Sequence, residues 1–264
     1  MPLRISNHSS PRTAARVPFA IAVVPARYGS SRLPAKALAE IGGEPMVVRV
    51  WRQASKAKSI ARVIVATDDE RIAAPVRAAG GEAIMTSPDH PSGTDRIAEI
   101  ARKIRAEVYL NVQGDLPFAA PADLDALVAA MAANKSLAMA TLATPIADES
   151  EWRSPNAVKV VCGANGNALY FSRGPIPFPR AGGMPSTTLR HIGVYAYRRA
   201  FLLKFAALAP GVLERIEMLE QLRVLENGYA IGVVLSVAAS VETIEVDTAG
   251  DLARARARAA GASC

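Results

Sequence analysis

Short apolar runs alternate with helical segments through the first half of the chain, and this alternation constrains the fold more than any other feature. The runs begin near residues 19, 62, 82 and 108, and the helical segments between them span residues 46–58, 70–79 and 94–105. Strands that alternate with helices across short connections form a parallel sheet with helices on both faces. The pattern therefore predicts an α/β fold with a mostly parallel central sheet.

The second half of the chain departs from this pattern. After a predicted helix at 121–134 and a predicted strand at 137–144, residues 157–161 and 168–172 flank a glycine- and asparagine-containing turn and indicate a β-hairpin. A segment with four prolines follows at 175–185. The remaining predicted elements are strands at 190–197 and 231–237 and helices at 199–208, 212–227 and 249–260.

We expect one domain over residues 18–264 with an inserted arm at about 150–190. The polar segment 1–17 is expected to be a disordered N-terminal extension. No apolar run is long enough to cross a bilayer, so no membrane partner is expected. The two cysteines argue against a disulfide framework and favour a reducing compartment, the cytoplasm.

The net charge of +7 raises the question of a nucleic-acid partner. The basic residues are scattered, and only 5% of residues are aromatic, which disfavours stacking of bases on the surface. A solvated basic surface is therefore the favoured interpretation, and no nucleic-acid partner is expected. An anionic substrate remains compatible with the charge.

A loop of small and basic residues follows the first strand. Its members are Arg27, Gly29, Ser30, Ser31, Arg32 and Lys36. Glycine lets the backbone approach a ligand, exposed N–H groups donate, and fixed cations neutralise charge, so the loop is suited to phosphates. Neither GxxxxGK[ST] nor GxGxxG is present, so this is a phosphate loop of another kind.

One aspartate follows a predicted strand and another follows a β-rich run. Asp115 comes directly after the strand that ends at 112, and Asp247 precedes the last helix. Two such carboxylates can share a divalent cation, and Mg²⁺ prefers few carboxylates together with phosphate oxygens. Taken singly, Asp115 is equally interpreted as a turn residue and Asp247 as a helix N-cap.

Three further segments carry polar side chains with two interpretations each. The sequence HPSGTDR at 90–96 either caps a helix or reads a base edge or an anion. On the predicted helix 212–227, apolar residues 216, 219, 222 and 225 share one face and Glu217, Glu220 and Gln221 the other. That polar face is either solvated or hydrogen-bonded to a polyhydroxylated ligand. In the strand at 190–197, Arg190 and the nearby Arg173 could bind a carboxylate as bidentate donors, whereas His191 is equally interpreted as a hydrogen-bonded core or edge histidine.

These segments, in this order, resemble the 3-deoxy-manno-octulosonate (Kdo) cytidylyltransferases, or CMP-Kdo synthetases. The resemblance covers roughly residues 20–252. It rests on PARYGSSRLPAK (25–36), VATDDERI (65–72), DHPSGTDR (89–96), NVQGD (111–115), PNAVKVV (155–161), ALYFSR (168–173), RHIGVYAYR (190–198), LERIEMLEQLRVLENG (213–228) and VDT (246–248). It implies a Rossmann-like nucleotidyltransferase fold and a homodimer that uses the inserted hairpin. It also implies transfer of CMP from CTP to the anomeric hydroxyl of Kdo, for lipopolysaccharide core synthesis in a Gram-negative cytoplasm.

The resemblance also implies the role of each residue. CTP would be bound by Arg27, Ser30, Ser31, Arg32, Lys36, Ser92, Gly93, Thr94 and Gln113. The acid sugar would be bound by Gln113, Arg173, His191, Tyr195, Glu220 and Gln221. Asp115 and Asp247 would hold Mg²⁺, and with Lys36 they would be the catalytic residues. No side-chain nucleophile is required, because positioning and charge stabilisation suffice for phosphoryl transfer.

Three positions depart from the family pattern. Ala35 replaces a glycine of the first loop, Leu116 replaces the glutamate of QGDEP, and Glu245 replaces a glycine before VDT. The changes at 116 and 245 lie beside the two aspartates. They motivate two alternatives to Kdo transfer: a modified acid sugar such as 8-amino-Kdo, and a weakly active or non-catalytic CTP-binding protein.

Overall fold

A computed structural model describes residues 17–29, 33–238 and 244–261. Its strands are β1 (Ala20–Ala26), β2 (Glu40–Ile41), β3 (Glu44–Pro45), β4 (Val63–Thr67), β5 (Glu82–Met85), β6 (Val108–Val112), β7 (Met139–Pro145), β8 (Lys159–Cys162), β9 (Ala168–Ser172), β10 (Leu189–Arg198) and β11 (Ile231–Leu235). Its helices are α1 (Met46–Ala54), α2 (Glu70–Ala78), α3 (Gly93–Lys103), α4 (Pro121–Ala133), α5 (Glu149–Arg153), α6 (Arg199–Phe205), α7 (Val212–Glu217), α8 (Leu222–Glu226) and α9 (Ala249–Ala259). A 3₁₀ turn covers Lys36–Leu38.

The central sheet has the strand order β11-β7-β10-β6-β1-β4-β5. The pairs β5–β4, β4–β1, β1–β6 and β7–β11 are parallel, and β10 runs antiparallel to both of its neighbours, β6 and β7. The predicted α/β class with a mostly parallel sheet is therefore confirmed. The predicted hairpin is also confirmed, because β8 and β9 pair antiparallel and extend the sheet from one end of β10.

Helices cover both faces of this sheet. Along β1, Ala20, Ala22 and Val24 pack into one apolar cluster with α1, α4 and α9, whereas Ile21 and Val23 pack into a second cluster with α3 and α6. All five of these side chains are buried, as expected for a parallel strand covered on both faces. The connections then place the carboxyl ends of β1, β4 and β6 at the same edge of the sheet.

The predicted single helix at 212–227 is wrong. Two short helices, α7 and α8, are observed instead. The bend between them begins at Met218, whose backbone is left-handed with φ 54° and ψ 47°. The predicted common apolar face is therefore also wrong. Ile216 is 72% exposed, whereas Leu219 and Leu222 are buried.

The predicted N-terminal extension falls largely on residues 1–16, which lie outside the described part of the chain, as do Ser30, Ser31 and Arg32 of the first loop. No helix within the described ranges has the length and apolar character needed to cross a bilayer.

Candidate active site

A cavity of about 1010 Å³ opens at the carboxyl edge of the sheet. Its walls come from the end of β1, the start of α3, the loop after β6, the middle of β10, the bend between α7 and α8, and the segment before α9. Gly114 allows one close approach, because a Cβ there would lie 3.0 Å from the backbone oxygen of Pro25.

Lys36 and the two aspartates meet in one corner of this region. Lys36 Nζ lies 2.7 Å from Oδ2 of Asp115 and 2.9 Å from Oδ1 of Asp247. Burial lowers the pKa of Lys36, but attraction to Asp115 and hydrogen bonds to both carboxylates outweigh burial, so the pKa is raised. Lys36 is therefore held as a cation between the two carboxylates.

The turn interpretation of Asp115 is confirmed, since the N–H of Leu116 bonds the backbone oxygen of Gln113 around it, whereas the N-cap interpretation of Asp247 is wrong. Thr248, not Asp247, caps α9: its hydroxyl accepts a hydrogen bond from the backbone N–H of Asp251. The backbone oxygen of Asp115 accepts a bond from the N–H of Val246, which ties the two aspartate-bearing segments together. Both carboxylates are thereby left to face Lys36.

Carboxylate oxygens of Asp115, Glu245 and Asp247 lie within 4.8 Å of one another. Oδ1 of Asp115 is buried and forms no hydrogen bond within the described part of the chain. A hard divalent cation binds oxygen ligands and would satisfy such an oxygen. The residues present therefore fit the magnesium ion that the resemblance implies.

The start of α3 supplies polar groups to the opposite wall. The side chain of Ser92 caps the helix by accepting from the N–H of Asp95. Gly93 and Thr94 line the cavity, and the Thr94 hydroxyl donates to Oε2 of Glu220 at 2.6 Å. The capping and ligand-facing interpretations of this segment thus apply to different residues, Ser92 and Thr94.

The bend at Met218 turns Glu220 and Gln221 into the cavity. Burial raises the pKa of Glu220, although hydrogen bonds from Thr94 and Ser92 oppose that effect. Gln221 is 3% exposed, and its Oε1 accepts a bond from the Tyr195 hydroxyl at 3.2 Å. The Nε2 donor of Gln221 is buried and unbonded among the described residues, so it is available to a ligand oxygen.

His191, Tyr195 and Gln113 complete this wall. The His191 and Tyr195 rings lie 5.4 Å apart between centroids. Burial lowers the pKa of His191 to about 3, so the ring is neutral at physiological pH. Gly193 lies between them on β10, where a Cβ would approach Nε2 of Gln113 to 2.8 Å. Glycine at 193 therefore leaves room for the Gln113 side chain.

The two arginines of this region have different surroundings. The guanidinium of Arg173 donates to the backbone oxygens of Glu217, Pro155 and Met218, at 2.8, 3.0 and 3.4 Å. Arg173 thus ties the α7–α8 bend to the hairpin, while still lining the cavity. Arg190 pairs with Glu151 at 3.1 Å, and its Nε is buried without a partner among the described residues. Both guanidinium groups therefore keep N–H donors that these contacts do not use.

Arg27, expected to bind CTP, is exposed and does not line the cavity. Sequence reasoning also missed two functional candidates. Asn111 and Thr141 are buried polar residues in otherwise apolar strands, and Asn111 lines the cavity. The signal that could have found them is a lone amide or hydroxyl in a buried strand, which needs a partner.

Comparison with known proteins now identifies the family. The sequence model of the family described as "Cytidylyltransferase" matches residues 21–236. The 3-deoxy-manno-octulosonate cytidylyltransferase of Syntrophotalea carbinolica is 48% identical over 248 residues, 91% of this chain and 98% of the relative. That of Anaeromyxobacter dehalogenans is 50% identical over 243 residues, also 91% and 98%. The chain belongs to the 3-deoxy-manno-octulosonate cytidylyltransferase family.

Solved structures agree with this membership. The CMP:2-keto-3-deoxy-manno-octonic acid synthetase complexed with CTP superposes with a TM-score of 0.87 at 43% identity, covering 92% of this chain and 99% of that chain. A 4-diphosphocytidyl-2C-methyl-D-erythritol synthase from Anaerococcus prevotii superposes with a TM-score of 0.61 at 15% identity. That second likeness extends the cytidylyltransferase fold, and the fold alone, to a distant protein.

The departures from the Kdo cytidylyltransferase pattern have distinct structural settings. Leu116 is 2% exposed and packs in the apolar cluster under α4. Glu245 joins the carboxylate group with Asp115 and Asp247. Ala35 has φ 51° and ψ 33°, a left-handed backbone that favours the glycine of the family pattern. The lost carboxylate at 116 is therefore accompanied by a carboxylate gained at 245.

Proposed function

We propose that this protein transfers CMP from CTP to the anomeric hydroxyl of Kdo and releases pyrophosphate. The observation that carries the proposal is one cavity with two chemically different ends. One end is lined by the carboxylates of Asp115, Glu245 and Asp247, two of which pair with Lys36, and the other holds a polar wall of amide, imidazole, phenol and carboxyl groups. The names of the relatives and the CTP complex of the superposed synthetase support the same substrates. By resemblance, the product would supply lipopolysaccharide core synthesis in the cytoplasm.

At the carboxylate end, Asp115 and Asp247, with Glu245 beside them, would hold Mg²⁺. When bound, such an ion stabilises negative charge on phosphate oxygens and lowers the pKa of a coordinated hydroxyl. Lys36 would bind the triphosphate, because its ammonium group is a fixed positive charge in this corner. Gly93, Thr94 and Gln113 would position the nucleotide.

At the other end, the polar wall would orient the sugar. Hydrogen-bond donors and acceptors that match the hydroxyl groups of the sugar come from four side chains: the neutral His191, Tyr195, Gln221 and Glu220. Arg190 or Arg173 would bind the sugar carboxylate. The anomeric oxygen then forms a bond to the α-phosphorus as the bond from that phosphorus to the bridging oxygen breaks. Pyrophosphate takes the bonding electrons, and the hydroxyl proton passes to solvent. Positioning the two substrates in line is the main contribution of these residues.

A pyrophosphate-release screen tests the proposal. It crosses the four nucleoside triphosphates with Kdo, 8-amino-Kdo and other acid sugars in the presence of Mg²⁺. We expect release with CTP and Kdo, and its loss in Asp115→Ala. Glu70→Ala is the matched control, because Glu70 pairs with the exposed Arg77 on the surface of α2. Preference for another acid sugar would reassign the substrate, and tight CTP binding by calorimetry without release from any sugar would favour the non-catalytic alternative.

We also propose that two copies associate through the hairpin region. Large apolar side chains are exposed there and on the helix that packs beside it. They are Leu169, Phe178, Val212, Ile216 and Met218. Exposed apolar groups in such numbers mark interaction surfaces. Light scattering should give the mass of a dimer for the wild type and of a monomer for the double variant Leu169→Glu/Ile216→Glu. Leu235→Glu, an exposed leucine on the edge strand β11, should remain dimeric.

A further inference from the structure

A bulge in β10 lies opposite a buried threonine on β7. Ile192 pairs with Leu142 and Tyr195 pairs with Thr141, so Gly193 and Val194 have no counterpart on β7. Bulges beside active sites redirect side chains and remove backbone groups from the ladder. Thr141 is 0% exposed, and its hydroxyl lies against this irregular segment.

More than one polar group lies within hydrogen-bond distance of the Thr141 hydroxyl, which has a single proton to donate. Its Oγ1 lies 2.8 Å from the backbone oxygen of Val194 and 2.9 Å from Nε2 of His191. A hydroxyl donates one hydrogen bond, and a carbonyl oxygen only accepts. The threonine proton therefore goes to Val194, and the bond with His191 requires that Nε2 of the imidazole be the donor.

The protonation state of the other imidazole nitrogen, Nδ1, follows from that of Nε2. Burial keeps the ring neutral, with a pKa of about 3, so a proton on Nε2 leaves Nδ1 as a bare acceptor. The His191 ring packs edge-to-face on Phe171, with 5.1 Å between the ring centroids, and the Tyr195 ring lies beside it as well. His191 lines the cavity, and Nδ1 makes no hydrogen bond to any residue in the described ranges.

We propose that Thr141 is a positioning residue that fixes His191 as the Nε2–H tautomer, so that Nδ1 accepts a hydrogen bond from a hydroxyl of the acid sugar. The second half of this inference rests on the proposed function, whereas the tautomer does not. A bare nitrogen acceptor selects a donor such as a hydroxyl and disfavours a carboxylate at the same place. Thr141 thereby contributes to the orientation of the sugar without touching it.

The test begins with the unaltered protein. In ¹⁵N-histidine-labelled wild type at pH 7.5, we expect the His191 resonances of a protonated Nε2 and an unprotonated Nδ1, assigned by their loss in His191→Gln. Saturating Kdo should move the Nδ1 resonance toward a hydrogen-bonded value. A protonated Nδ1 in the free protein would overturn the inference whether or not the protein turns over any sugar. So would turnover of Kdo that leaves the Nδ1 resonance unmoved.

Two variants add a kinetic readout. Thr141→Val removes the hydroxyl at nearly constant shape, and Thr141→Ser retains it. We expect Thr141→Val to shift the tautomer population and to raise KM for Kdo about tenfold, the effect of about 1.4 kcal/mol in a lost hydrogen bond. KM for CTP should stay within about twofold, and kcat within about threefold. Thr141→Ser should behave as the wild type, and a serine variant as impaired as the valine variant would refute the hydroxyl's role.

Discussion

The ammonium group of Lys36 lies between Asp115 and Asp247, 2.7 and 2.9 Å from one oxygen of each. These are the two carboxylates proposed to hold Mg²⁺. A monovalent cation thus occupies the space between the proposed metal ligands. With Lys36 in this position Oδ1 of Asp115 is still a possible metal ligand, but a divalent ion bound to the oxygens that Lys36 contacts would have to compete with its ammonium group.

This relationship predicts opposite effects of one substitution on metal binding and on catalysis. Lys36→Met removes the competing cation and leaves two carboxylates to repel each other. We expect the dissociation constant for Mn²⁺ without nucleotide, measured by electron paramagnetic resonance, to fall about tenfold, because a charged hydrogen bond contributes about 1.5–3 kcal/mol. The kcat with CTP should fall about 100-fold or more, because a charge at the phosphates is lost.

Lys103→Met is the control for this experiment, since Lys103 pairs with Glu99 on the surface of α3. It should change neither quantity. Weaker Mn²⁺ binding in Lys36→Met would mean that the lysine supports the metal site rather than competing with the ion.

Glu245 predicts a second effect on metal binding. Its carboxylate stands with those of Asp115 and Asp247, and the family pattern has glycine there. We expect Glu245→Gln and Glu245→Gly each to weaken Mn²⁺ binding about fivefold, as expected for a nearby charge in a solvated setting. Calorimetric titration with Mn²⁺ measures this, with Glu70→Gln as the surface control. Unchanged affinity in both variants would exclude Glu245 from the metal site.

The left-handed backbone at Ala35 predicts a gain in stability. A residue with a Cβ at φ 51° is less stable there by about 1–2 kcal/mol, and glycine avoids that strain but loses about 0.5–1 kcal/mol of conformational entropy. Ala35→Gly should therefore raise the free energy of unfolding by about 0.5–1 kcal/mol and the Tm by about 1–3 °C. Ala39→Gly, at φ −59°, should lower the Tm. The reverse order of the two variants would contradict the argument.

The first half of the fold follows from the sequence because each element there carries its own local pattern. The helix at 212–227 fails for a tertiary reason. Its apolar spacing is regular, but the Glu217 carboxylate accepts bonds from the hydroxyl of Ser172, the last residue of β9, and from the N–H of Arg173 directly after it. These contacts join the end of α7 to the hairpin, and Met218, whose backbone is left-handed, comes directly after Glu217. Periodicity along one segment contains no information about such a partner.

The candidate site, like the fold, was predictable from the sequence only in part. That Asp115 lies near the first loop follows from strand order, because carboxyl ends of parallel strands share an edge. Asp247 was expected at a strand end too, but residues 244–247 are irregular, and the bond from the N–H of Val246 to the backbone oxygen of Asp115 places it there. That Lys36 bridges the two carboxylates does not follow, because a long flexible side chain has many rotamers and the sequence favours phosphate as its partner. Glu217 and Glu220 were expected on one helix face, but the bend sends Glu217 to the hairpin and Glu220 to the cavity.

The neutral His191 predicts how stability depends on pH. In the unfolded chain a histidine binds a proton below pH 6.5, whereas burial lowers the pKa in the folded protein to about 3. Between these values the unfolded state binds more protons, so stability falls as the pH falls from about 6.5 toward 3. At pH 5 this group alone should reduce the free energy of unfolding by about 2 kcal/mol relative to pH 7.5. Urea unfolding of wild type and His191→Gln at both pH values measures the difference, because glutamine stays neutral throughout. Equal losses in the two proteins on going to pH 5 would show that the pKa of His191 is not lowered in the folded protein.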